Sequence, residues 1–209
     1  LGMLSADGIT ITDDETEADI IVINTCCFIN DAKEESINTI LDMARYKESG
    51  SLKGLIVTGC LAQRYQKEIE EEIPEVDAII GTNSYDGIVE AVHHVLEGSH
   101  HYEDIRSLEG LPHTTAERKL TTGGHYAHLK IAEGCNKHCT YCIIPFARGR
   151  VRSRKADDVL AEIRGLAAKG YKEVVLTGIH LSSYGVDTGD NLLHLIELVH
   201  EVEGIERIR

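Results

Sequence analysis

No stretch of about 18 or more apolar residues occurs in this 209-residue chain, so the sequence offers no ordinary membrane-spanning helix. Leu1, Gly2, Met3 and Leu4 include no initiator methionine at position 1, and no charged segment followed by a long apolar one opens the chain. No secretory leader is read there, and the start reads as internal to a longer protein. No cysteine follows Cys142, and the six cysteines come without a secretion signal. Disulfides belong to oxidising compartments, so these thiols point to metal binding or catalysis in a reducing one, and the cytoplasm is the expected location. Positive charge is scarce early in the chain: residues 1–124 carry 9 Lys and Arg against 24 Asp and Glu, while residues 125–209 carry 12 against 11. A net charge of −14 argues against indiscriminate phosphate binding. What is present, 42% hydrophobic residues, suffices for one large or two small domains with real cores.

Strand and helix patterns alternate through residues 19–97. Short β-branched or apolar runs at 20–24, 54–58 and 78–80 predict strands, and apolar residues at helical spacing predict helices over 31–45, 61–72 and 85–96. Strands separated by helices imply a parallel sheet with right-handed crossovers, a Rossmann-like or flavodoxin-like α/β domain over 1–97. Residues 98–124 lose the periodicity, gather Gly, Ser, Thr and His, and read as a linker. A second α/β unit over 125–209 follows, with strands at 127–132 and 173–177, helices at 156–169 and 192–202, and a third strand opening at Ile205. This is the order of a partial TIM-type β/α barrel, whose functional residues lie in loops past the strands' carboxyl ends.

Cys135, Cys139 and Cys142 stand in the first such loop with CxxxCxxC spacing. Three thiolates hold three irons of a cubane cluster and leave the fourth open to a ligand that is not protein. The competing assignment is a structural zinc knuckle with His138 or a distant residue as fourth ligand. Zinc ligands usually come as two CxxC-type pairs, and nothing downstream supplies a second pair.

Cys26 and Cys60 form a second set, each just past the carboxyl end of an expected strand, where open α/β sheets place their ligand crevices. Two readings stay open for them, metal ligands or small buried hydrophobes. Cys27 adjoins Cys26, but adjacent side chains in extended backbone diverge, so packing is its expected role. Arg148, Arg150, Arg152 and Arg154, with Lys155, form a basic strip whose alternate residues would line one face if extended. It is either a solvated or carboxylate-paired brace of the cysteine loop, or a surface for an anionic ligand. Gly178 ends the second barrel strand and would let backbone approach a ligand closely. His180 beside it is a ligand contact or a polar filler.

The CxxxCxxC motif, with Tyr141 before its last cysteine, resembles the radical S-adenosylmethionine (SAM) superfamily. There the open iron binds SAM, and one electron cleaves it to a 5'-deoxyadenosyl radical. Asn24, Thr25 and Cys26, then Gly59, Cys60, Leu61, Ala62, Gln63 and Arg64, then the motif from Gly134 to Cys142, in this order, resemble the methylthiotransferases of that superfamily over nearly the whole chain. The resemblance implies two 4Fe-4S clusters, one on Cys135, Cys139 and Cys142 and one whose second and third ligands are Cys26 and Cys60. The first ligand of the latter lies in a Gly-Cys segment that this chain lacks, as it lacks the family's first strand. It also implies SAM contacts around Tyr141, Gly178 and His180, an electron donor such as flavodoxin or ferredoxin, a monomer off the membrane, and a C-terminal substrate-engaging domain beyond this chain. The chain alone is therefore expected to be inactive.

On substrate the resemblance divides. Residues 24–37 and 126–135 look like the branch that modifies an aspartate of a small-subunit ribosomal protein. Residues 147–154 and 175–185 look like the branch that modifies threonylcarbamoyladenosine beside the tRNA anticodon. The acidic first half suits a basic ribosomal protein better than RNA, and the arginine strip suits RNA better. More of the chain looks like the ribosomal branch, so that substrate is the expectation, with tRNA the alternative and a non-catalytic iron-sulfur or zinc module the alternative of another class.

Overall fold

The structure is a computed structural model that describes residues 1–48, 50, 52–111, 118–120 and 123–209. It divides into two compact units, Leu1–Lys119 with Thr140–Ala147, and Leu120–Cys139 with Arg148–Arg209.

The first unit is built on four parallel strands, β1 (Ile20–Thr25), β2 (Gly54–Gly59), β3 (Ala78–Ile80) and β4 (Tyr102–Asp104), in the order β1-β2-β3-β4. β2 is buried along almost its whole length, as a central parallel strand covered on both faces must be. Its side chains alternate: Leu55 and Val57 enter one core with Ile40, Leu61 and Ile69, while Ile56 enters another with Ala78, Ile80, Val92 and Leu4. The helices α1 (Gly2–Ala6), α2 (Asn30–Glu48), α3 (Cys60–Arg64), α4 (Gln66–Glu72) and α5 (Ile88–Leu96) supply the two covers, and a short α6 (Ile144–Ala147) joins the first core through Ala147. α2 buries Ser36, Ile40 and Ala44, one per turn on a single stripe.

Two differences from the sequence reading have local causes. The helix expected over 61–72 breaks at Tyr65, whose φ of −124° and ψ of 34° are not helical. The Tyr65 ring lies against the Lys33 and Arg64 cations, 4.8 and 5.6 Å from its centroid. The segment expected as a linker contributes β4, in which Tyr102 suits a strand but Glu103 and Asp104 do not. Its pairing with β3 and the bond from His100 Nδ1 to the buried Asp77 carboxylate (2.7 Å) fix it instead. Asp77 also accepts from the Leu55 N–H (2.7 Å) and pairs with Lys47 Nζ (2.5 Å). Linker residues 112–117 and 121–122 lie outside the described residues.

The second unit has three parallel strands, β5 (Tyr126–Lys130), β8 (Glu173–Thr177) and β9 (Arg207–Ile208), in the order β5-β8-β9, and an antiparallel pair β6 (Ala132–Glu133) and β7 (Arg152–Ser153). The strand expected at 127–132 is thus two strands: its first part pairs with β8, and after Ile131 the backbone turns to β7. Helices α7 (Ala156–Ala168) and α8 (Leu192–His200) bury Val159, Leu160, Ile163, Leu166, Leu195 and Val199 against Ala127, Leu129, Val174 and Leu176. Strand-helix repeats with parallel pairing are the β/α order expected of the first part of a barrel. Among the described residues no helix is long and apolar enough to cross a membrane.

Candidate functional site

In the first unit the register pairs Thr25 with Gly59, so Cys26 and Cys60 follow paired positions at the carboxyl ends of adjacent parallel strands. Gly59 is the residue that permits this. Its φ is +99°, and a Cβ there would lie 2.3 Å from the Thr25 carbonyl oxygen and 2.6 Å from Asn24 Oδ1, so only glycine fits without displacing β1. The Thr25 hydroxyl donates to the Thr58 carbonyl (2.6 Å), and the Ser36 hydroxyl accepts from the Cys26 N–H (3.0 Å). Cys26 is exposed, whereas Cys27 and Cys60 are buried. Cys27 joins Ile23, Ile40 and Leu61 in the core, the packing role expected of it.

Burial, then Cys60, then Cys26, push the Cys27 thiol up to about 11, while Lys33 and Arg64 oppose the rise. Lys33 and Arg64 are the two cations whose charge acts on this buried thiol. Sequence reasoning gives neither Lys33 nor Arg64 a role. The available signal was their placement, one on the helix after β1 and one on the helix opened by Cys60.

In the second unit the cysteine loop opens from β6. Gly134 has φ +72°, and a Cβ there would fall 1.9 Å from the Arg150 carbonyl oxygen. This close approach lets the Cys135 N–H donate to the Gly149 carbonyl (3.0 Å), while the Asn136 side chain accepts from the Val151 N–H (3.0 Å). The loop is thereby tied base to base beyond the pairing of Ala132 with Ser153 and Glu133 with Arg152. Cys135 Sγ accepts from the Lys137 N–H (3.4 Å), the kind of bond that stabilises a ligating thiolate. Cys139 is exposed and Cys142 half-buried; Cys135 and Cys139 belong to the second unit, while the stretch Thr140–Ala147, with Tyr141 and Cys142, belongs to the first. Tyr141 is 85% exposed. Among the described residues no three His, Cys, Asp or Glu side chains are already gathered to hold a metal ion. The donors nonetheless suit an iron-sulfur cluster: soft thiols on a short loop whose glycine pivot leaves no room for a side chain.

Glu133, immediately before Gly134, is buried. Its Oε1 accepts from Lys130 Nζ (2.6 Å) and Arg148 (3.5 Å), and its Oε2 has no hydrogen-bond partner among the described residues. The arginine strip does not form the single open face that an extended segment would give. Arg148 faces Glu133, Arg152 is buried and donates to the Arg148 carbonyl (2.7 Å), and Arg154 donates to Glu162 (2.7 Å) and the Lys130 carbonyl (3.2 Å). Only two residues, Arg152 and Ser153, are strand, so strict alternation does not extend along the strip. Gly178 lies past the end of β8, and a Cβ there would meet only ordinary to tight contacts, the Leu181 side chain at 3.3 Å and the Ala132 carbonyl oxygen at 3.4 Å. His180 is half-buried, with Nδ1 bonded to the Ser183 hydroxyl and Nε2 3.4 Å from the Ser182 hydroxyl.

Residues 1–81 match the uncharacterized protein family UPF0004, and residues 129–209 match the radical SAM superfamily. The whole chain is 54% identical to a protein of Lachnoclostridium phytofermentans named ribosomal protein uS12 methylthiotransferase RimO, covering 48% of it. It is 43% identical, again over its whole length, to the protein of that name from Clostridioides difficile, covering 47% of it. The chain therefore spans about half the length of the curated relatives it matches. Among solved structures it resembles the radical SAM methyltransferase TsrM from Kitasatospora setae, with a TM-score of 0.52 and 13% identity over 87% of this chain and 39% of that one, a likeness of fold alone. The chain thus joins a UPF0004 segment to a radical SAM segment, and along its full length it is similar to proteins of one name, the ribosomal protein uS12 methylthiotransferases RimO.

Proposed function

We propose that the full-length protein containing this chain is a radical SAM methylthiotransferase that inserts a methylthio group at an unactivated C–H bond of an aspartate in the small-subunit ribosomal protein uS12. The observation that carries the reading is the glycine-pivoted loop bearing Cys135, Cys139 and Cys142 at the end of a parallel β/α sheet. Those three cysteines would hold a 4Fe-4S cluster, which when bound supplies an electron to SAM and so opens carbon-radical chemistry. Cys26 and Cys60 would hold two irons of a second cluster. Cys27, buried and protonated at neutral pH, packs in the same core as Cys60. Tyr141, Gly178 and His180 are assigned to the SAM side of the site, where backbone approach at Gly178 and the His180 ring, oriented by Ser183, position the ligand.

The full enzyme acts in the cytoplasm, takes electrons from a donor such as flavodoxin or ferredoxin, and works as a monomer. Its domains are residues 1–97, a connecting stretch over 98–124, and the first part of the radical SAM domain over 125–209. The ribosomal substrate is favoured over tRNA by the names of the relatives and by the inward engagement of Arg148, Arg152 and Arg154. The sequence likeness of residues 147–154 and 175–185 to the tRNA branch keeps that second reading in play. Anaerobic reconstitution of the full-length protein with iron and sulfide tests the proposal. A brown protein that reductively cleaves SAM supports it; a colourless, zinc-loaded protein without cleavage would mean a structural module.

A further inference from the structure

The loop after β8 is fastened to β7 at several points, all inside the second unit. Asp187 accepts twice from Ser153, from its N–H at Oδ2 (2.8 Å) and from its hydroxyl at Oδ1 (2.6 Å). The same hydroxyl oxygen accepts from the Gly185 N–H (2.8 Å), and the Tyr184 hydroxyl donates to the Arg154 carbonyl (2.9 Å). A serine hydroxyl has one proton to give and two lone pairs. Here the proton goes to Asp187 and one lone pair to Gly185, so a single buried side chain joins both ends of the turn. Gly185 has φ +84°, and a Cβ there would lie 2.1 Å from the Asp190 carbonyl carbon, so the turn holds one tight shape. β7 is the strand to which the cysteine loop returns, and the fastened loop begins with Gly178 and His180.

We propose that Asp187 is a positioning residue: its carboxylate clamps the loop after β8 to Ser153 and thereby holds Gly178 and His180 in place for SAM. This rests on the SAM-binding reading above. The carboxylate meets each Ser153 donor with an oxygen of its own. An asparagine keeps one neutral oxygen and puts an NH2 donor in place of the other, and an alanine offers neither. Asp187 is itself exposed while Ser153 is buried, so replacing the carboxylate leaves the packed core intact.

The test uses the full-length protein with Asp187→Asn and Asp187→Ala. Hydrogen exchange without any cofactor reads the clamp: peptides covering residues 181–190 should exchange about tenfold faster in Asp187→Ala, less in Asp187→Asn, with β5 and β8 unchanged. After reconstitution, iron content and visible absorbance should match the parent, while the dissociation constant and KM for SAM rise by about tenfold and kcat at saturating SAM stays within about twofold. Unchanged exchange at 181–190 overturns the clamp. Faster exchange with unchanged SAM affinity overturns the positioning role, and acceleration throughout the unit would make Asp187 merely structural. A parent protein that takes up iron yet binds no SAM contradicts the functional reading whatever stands at 187, so the two failures are told apart.

Discussion

The thiols of this chain differ in what surrounds each sulfur, and the account assigns their roles accordingly. Replacing Cys135, Cys139 or Cys142 with alanine in the full-length protein is expected to abolish 5'-deoxyadenosine formation, since each would supply one of three iron ligands. Retained cleavage in any one variant would remove that cysteine from the set. Replacing Cys26 or Cys60 should lower iron content and stop methylthiolation while reductive SAM cleavage persists, because the loop of Cys135 is untouched. Cleavage lost along with iron would show instead that the two sets depend on one another. Tyr184, 1% exposed, titrates late: burial first, then the Asp190 and Asp187 charges, push its hydroxyl up to about 12. The native state therefore holds this proton longer than the unfolded chain. The stability it contributes is complete below about pH 10 and is lost as pH rises through about 12. Denaturant unfolding of the parent and of Tyr184→Phe between pH 8 and pH 11 checks this, with the alkaline fall expected to be shallower in the variant.

At the scale of elements, the glycine turns bring the cysteines to their places. Gly134→Ala puts a methyl group where the Arg150 carbonyl stands and forces a left-handed backbone on a residue with a side chain. The expected cost is about 1–3 kcal/mol of stability, with loss of the Cys135–Gly149 bond and of iron uptake at the loop. A thermal melt and an iron assay decide it, and a variant with parental values in both would show that the loop shifts freely. The same elements mark how far the sequence could be read. The strands at 20–24, 54–58, 78–80 and 173–177 were legible because they are β-branched or apolar runs whose signal is local. β4 was not legible, since Tyr102, Glu103 and Asp104 become a strand only through a partner and the Asp77 tether. β6 and β7 were hidden for a similar reason: each is two residues long and defined by the other. The cysteine motifs were legible in order and spacing. The Ser153–Asp187 contact, across 34 residues, carried no local signal.

Over the whole chain, charge separates the two substrate readings. The net charge of −14 and the inward engagement of three of the four strip arginines leave Arg150, exposed on the cysteine loop, as the arginine of the strip best placed to meet a phosphate. If tRNA were the substrate, Arg150→Gln in the full-length protein should lower the log-log salt slope of tRNA binding by about one unit. The ribosomal reading predicts no change in that slope. The measurement that bears most directly on the central claim is mass spectrometry of ribosomal protein uS12 and of tRNA from a strain lacking the full gene, beside its parent. The account predicts that uS12 loses the mass of one methylthio group at an aspartate while the tRNA nucleosides stay unchanged. An unaltered uS12 with a missing methylthio nucleoside would contradict it.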